Sequence, residues 1–104
     1  MSLAAKAFAE TIGTFTMIFV GGGSIVLSER HIIPAYCIPI AWGSVICLMI
    51  ILMVHISGAH FNPAVTLAFA AVKRIAMSLV PFYWGSQFMG GLIAIGLLAV
   101  LQKI

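Results

Sequence analysis

The residues best placed to do chemistry lie in one stretch, His55-Ile-Ser-Gly-Ala-His-Phe-Asn-Pro-Ala-Val-Thr-Leu67. Asn62 and Pro63 are good helix starters, Asn as N-cap and Pro at the first helical position. A capping Asn62 accepts a backbone N–H through its side-chain oxygen, which leaves its amide NH₂ as a fixed donor off the helix end. The helix end itself adds a partial charge of about +0.5. Just upstream, Gly58, Ala59, His60 and Phe61 have no helix to absorb their carbonyls, which are left to act as acceptors. A fixed donor, a row of acceptors and a positive dipole end suit a neutral, hydrogen-bonding solute and repel cations.

That chemistry is binding or passage, with no bond made or broken. No nucleophile–base pair is present, so catalysis is not expected. His55 and His60 have no Cys or carboxylate beside them and read as loop-stabilising hydrogen-bonders, so neither a metal nor a cofactor is expected. Cys37 and Cys47 are ten apart, about 15 Å along a helix, too far for a disulfide and suited to packing.

The elements that must position this stretch follow from composition. The chain has 104 residues, 63% of them hydrophobic and only 7% charged, with no Asp at all. Its mean hydropathy is +1.24. A soluble domain needs about 25% charged residues to cover its surface, so the apolar surface here must face a lipid bilayer. The five Lys and Arg form no patch beyond Lys73-Arg74, which excludes nucleic acid as a partner.

Charges and polar clusters divide the chain into spans. Residues 11–28, extended by the apolar residues before Glu10, form the first uncharged run, residues 32–54 the second and residues 75–101 the third. Each reaches the roughly 20 residues a hydrocarbon core of about 30 Å requires. Transmembrane helices are therefore predicted over about 7–28, 35–54 and 77–101. Pro34 and Pro39 fall in the first turns of the second, where a missing N–H costs least. Glu10 interrupts the early apolar run and no small-residue cleavage site follows, so a cleaved signal peptide is not expected.

The segment between residues 54 and 73 is different. Only Pro63 to Val72 looks helical, and ten residues reach about 15 Å, half the hydrocarbon thickness. With no polar face for an interfacial helix, residues 56–72 read as a re-entrant loop and half-helix, shielded by protein or a water-filled cavity. Re-entry puts Lys6, Lys73 and Arg74 on one membrane face and Arg30 and Lys103 on the other. Three cations against two give a feeble bias toward a cytoplasmic N-terminus. The fold class is thus all-α integral membrane, a single unit over 1–104 of three spans and one half-helix.

In that setting the 55–67 stretch resembles the first Asn-Pro-Ala loop of the aquaporin and glycerol-facilitator family. Ala9-Glu10-Thr-Ile-Gly13-Thr-Phe15 resembles the start of that family's first helix, Gly21-Gly-Gly-Ser24 its glycine patch, and Ser86-Gln87-Phe-Met-Gly90 its third helix. The resemblance implies that Asn62 donates to a permeant and that Gly58, Ala59, His60 and Phe61 supply a carbonyl track. Pro63 then meets the matching proline of a second half-helix at the pore centre, and Ala64 completes the pore-lining motif. Glu10 resembles a buried glutamate that braces the loop, in keeping with the rule that an acid inside a span is functional or bracing; Gln87 shares that task. Trp42 matches the aromatic selectivity position and resembles the glycerol-conducting branch. Trp84 has no such match and is assigned to packing. Ser86, Gly90 and Ala94 form a small-residue stripe that permits close helix contact.

The family's pore has two inverted repeats, six spans and two such loops, whereas these residues supply three spans and one. The filter arginine that follows the second loop is absent, and Val65 stands in its place. A lone half leaves its loop facing lipid, which is costly. The expected partner is a second, inverted copy forming an antiparallel homodimer around one pore, with up to four such pores per assembly. Trp42 of one copy then faces Ala59, Val65 and Ile50 or Ile51 of the other, and water or glycerol passes. Three alternatives stand beside it: a separately encoded second half, a dual-topology proton-coupled small multidrug transporter using Glu10, and a fragment with only an assembly role.

Overall fold

The computed structural model describes all 104 residues, and they form helices and turns only. Helix α1 spans Leu3–Glu29, α2 Cys37–Ser57, α3 Pro63–Ala71 and α4 Val80–Gln102, with a single 3₁₀ turn at Met77–Leu79 leading into α4. Three helical segments, Leu3–Glu29, Cys37–Ser57 and Met77–Gln102, are long and apolar enough to cross a membrane. The molecule is 44 Å long, the thickness of a bilayer with its headgroups (about 40–45 Å).

Local chemistry explains where each helix starts and stops. Helix α1 begins ahead of the expected residue 7 because the Ser2 hydroxyl caps it, accepting the Ala5 N–H at 3.1 Å. Helix α2 starts at Cys37 rather than 35; Pro34 precedes it, its carbonyl accepting the Cys37 N–H, while Pro39 sits within the first turn. It runs on to Ser57 and stops at Gly58, whose φ of +89° is a left-handed C-cap. Helix α3 has nine residues, about 13.5 Å, and cannot cross. It ends where Lys73 turns left-handed at φ +63° and Arg74 N–H reaches back to the Phe69 carbonyl at 2.8 Å.

Helix α1 is the centre of the bundle, packed against both α2 and α4. Gly90 of α4 rests directly on the Thr11 carbonyl of α1, leaving no room for a Cβ. Ala94, four residues on in the expected stripe, is fully buried. At the far end, Arg30 Nη2 donates to the Leu101 and Gln102 carbonyls at 2.9 and 2.8 Å, fastening the start of the α1–α2 turn to the end of α4. Those ends therefore lie on one face of the bundle. Lys6 and Arg74 line a common pocket at the other end.

The interior is polar where a soluble protein's would be apolar. The largest fully buried side chains are Gln87, Glu10 and Thr66. The apolar core is a small cluster of Val45, Met49, Ala59 and Phe61, with Ile12, Met17, Ile46 and Met53 against it. Large apolar side chains such as Phe82, Leu92 and Ile95 stand outward along the spans, as lipid-facing helices require.

Candidate functional site

The site is built around one carboxylate. Glu10 sits in α1 with no exposed surface, and its two oxygens accept four hydrogen bonds. Oε1 takes the Phe61 N–H and Gln87 Nε2, each at 2.8 Å. Oε2 takes the Ser57 hydroxyl at 2.7 Å and the His60 N–H at 3.1 Å. Between them, Ser57 Oγ accepts the Ala59 N–H at 3.1 Å. Three successive backbone N–H groups of the loop are thus turned inward toward α1.

That inward turn has a conformational cost. Ala59 and Phe61 adopt left-handed φ values of +55° and +54°, a region unfavourable to residues with a Cβ. The carboxylate offsets it, because hydrogen bonds to an ion are worth about twice neutral ones. Gly13 makes room on α1, since the Phe61 ring lies where its Cβ would be. With the N–H groups turned in, the carbonyls of Gly58, Ala59, His60 and Phe61 accept no hydrogen bond from the chain.

Asn62 follows in extended conformation and caps α3, its Oδ1 accepting the Ala64 N–H at 2.8 Å. Its NH₂ makes no bond within the chain and stays exposed. Ile50, Val65 and residues 58–62 line a single groove of about 410 Å³ together with Met17, Ile46 and Phe69. The residues that carry the free carbonyls, Gly58 to Phe61, and the capping Asn62 therefore border one trough along the chain. Pro63 lies at the rim of a second groove, of about 400 Å³, beside Asn62, Thr14 and Gln87. Ala64 is exposed on the first turn of α3. Trp42 does not line the trough; its indole packs on Gly21 of α1.

Several residues that hold the loop were not singled out by sequence. Tyr83 Oη donates to the Ser57 carbonyl at 2.7 Å, closing the end of α2. Trp84, assigned to packing, also donates its indole N–H to the Pro63 carbonyl at 3.1 Å and so anchors the start of α3. Thr66 is fully buried and bonds both Gln87 Nε2 and His60 Nδ1 at 2.9 Å. The available signal was weak: polar atoms at Thr66, Tyr83 and Trp84 inside otherwise apolar helices, where each needs a partner. His55 is exposed in the last turn of α2 and makes no side-chain hydrogen bond within the chain.

The network also sets the tautomer of His60. Gln87 Nε2 spends one proton on Glu10 and one on Thr66 Oγ1. Thr66 Oγ1 accepts from Gln87, and because the residue is fully buried its own proton has only His60 Nδ1 as an acceptor, which pairs it when the ring hydrogen is elsewhere. In the neutral ring that leaves the hydrogen on Nε2. The imidazole stacks on Phe69 and makes a tilted contact with Tyr83, at centroid distances of 4.7 and 4.9 Å.

Comparison with known proteins agrees with this geometry. The chain matches the Major intrinsic protein family over residues 1–104. It is 41% identical over 103 residues to aquaporin NIP3-1 of Arabidopsis thaliana, covering 97% of this chain and 32% of that protein. It is 42% identical over 98 residues to nodulin-26 of Glycine max, covering 92% and 36% respectively. Aquaporin NIP2-1 of Zea mays is 42% identical over 102 residues, or 95% and 35%. The chain spans about a third of the length of the curated relatives it matches. With three spans, a braced half-helix and a match along its whole length, the chain is an integral multi-pass membrane protein of the major intrinsic protein family.

Proposed function

We infer that the chain supplies one half of a passive channel for small neutral solutes, water or glycerol. The observation that carries this is the row of four unpaired carbonyls, Gly58 to Phe61, ending at the free NH₂ of Asn62 in a single trough. A solute that both donates and accepts hydrogen bonds replaces its hydration step by step along such a row. A cation is opposed by the α3 N-terminus and the Asn62 amide. The names of the relatives, aquaporins among them, support the same reading.

The trough is open on one side and needs a second wall. An inverted second copy of the same unit is the completion we favour, giving one pore per antiparallel pair; a second half of different sequence is the alternative. In either case Val65 and Ile50 border the narrow part of the conduit. A proton-coupled transporter fits poorly, since Glu10 is sealed from solvent and already holds four donors.

Stopped-flow swelling of liposomes containing only this chain tests the proposal, with water and glycerol compared. Flux above protein-free liposomes is expected. Flux that appears only with a second, different half present replaces the homodimer. Labelling that finds every N-terminus on one side of the membrane also excludes the antiparallel pair.

A further inference from the structure

At the end of the bundle where α1 and α4 begin and α2 finishes, Lys6 and Arg74 line a pocket of about 360 Å³ together with His60. Neither cation has an acidic partner. The chain holds two carboxylates, Glu10 and Glu29. Glu10 is buried and committed to the loop. Glu29 closes the opposite end of α1, about 35 Å from Lys6 along the helix. The hydroxyls in the pocket wall are spent as well, Ser57 donating to Glu10 and Tyr83 to the Ser57 carbonyl. His60 is the exception, because the Gln87–Thr66 relay leaves its Nε2–H free as a donor.

We propose that this pocket binds the phosphate of an anionic lipid headgroup, held by Lys6, Arg74 and the His60 Nε2–H. An ammonium, a guanidinium and an imidazole N–H match the several acceptor oxygens of a phosphodiester. Basic pockets between transmembrane helices at the bilayer face hold such headgroups. The rest of the lining favours an amphiphile over a free ion, since Ile56, Ile75 and Leu79 flank the donors and suit the glycerol and upper acyl chain. On the opposite face Arg30 is already spent on the α4 carbonyls.

The test uses the 104-residue chain in phosphatidylcholine vesicles carrying spin-labelled phosphatidylglycerol or spin-labelled phosphatidylcholine. The fraction of immobilised label is the readout, and no flux is measured, so the result is independent of the channel proposal. Phosphatidylglycerol is expected to be held in preference to phosphatidylcholine. K6Q and R74Q should each weaken that preference about fivefold, equivalent to about 1 kcal/mol per cation. K73Q removes the same charge one residue from Arg74 but outside the pocket lining, and should leave the preference unchanged. Equal binding of the two lipids overturns the proposal. So does a K73Q loss equal to that of R74Q, which means diffuse surface charge. Displacement of the label by inorganic phosphate at constant ionic strength assigns the pocket to a free anion instead.

Discussion

Glu10 and Phe61 are fifty-one residues apart, yet Glu10 Oε1 accepts the Phe61 N–H at 2.8 Å in the middle of the bundle. Phe61 is left-handed at φ +54°, and that rotation turns its N–H toward α1. The same bond that secures the loop thus leaves its carbonyls free for the trough. Loop shape and the row of unpaired carbonyls are two sides of one peptide geometry.

Replacing Glu10 by Gln should therefore loosen the whole loop. One oxygen becomes an NH₂ that faces donors from Ser57 and His60, or from Phe61 and Gln87, depending on its orientation. A destabilisation of about 3 kcal/mol is expected, since a bond to a charged group is lost and buried donors are left unpaired. Thermal unfolding in detergent measures it. Amide exchange at His60 and Phe61 should accelerate in parallel.

Asn62→Asp separates the cap from the donor. The carboxylate still accepts the Ala64 N–H, as Oδ1 does now at 2.8 Å, so stability should change by no more than about 1 kcal/mol. The donor facing the trough is replaced by a negative charge. In liposomes, neutral-solute flux should fall and cation leakage should rise. Unchanged flux and leakage would remove Asn62 from the conduction path.

Thr66→Val tests the proton relay. It deletes the donor to His60 Nδ1 and the acceptor for Gln87 Nε2, both at 2.9 Å. The cost should be about 1–3 kcal/mol. Nitrogen-15 NMR of the imidazole should show a single Nε2–H tautomer in the parent chain and a mixture in the variant.

Gly90→Ala and Gly96→Ala form a matched pair on α4. A methyl at Gly90 meets the Thr11 carbonyl, whereas Gly96 has open space around it. The first should cost about 1–3 kcal/mol through forced separation of α1 and α4. The second should be neutral, or stabilising by up to about 1 kcal/mol through helix propensity. Equal effects would mean that α1 and α4 do not approach closely at residue 90.

Much of the architecture was legible because lipid simplifies the code. A helix in hydrocarbon must be apolar, uncharged and about twenty residues long, so spans and the short α3 could be read by counting. Asn62 and Pro63 marked the start of α3 for a local reason, cap chemistry that needs no distant partner. Glu10 stood out as an acid within a span. Helix ends were less legible: Ser57 continues α2 past residue 54 because Gly58 supplies the left-handed stop.

What the sequence determined by itself was therefore one-dimensional: membrane location, the number of spans, the half-helix and its cap, and the family. Tertiary structure alone decided who holds the loop. Trp84, Tyr83, Thr66 and Ser57 became bracing groups because partnership depends on which polar atoms α4 and the loop bring within 3 Å or so of each other. The same holds for the His60 tautomer, set by a chain of donors running from Gln87 through Thr66. Residue type reports that a polar group needs a partner; only packing says which partner it finds.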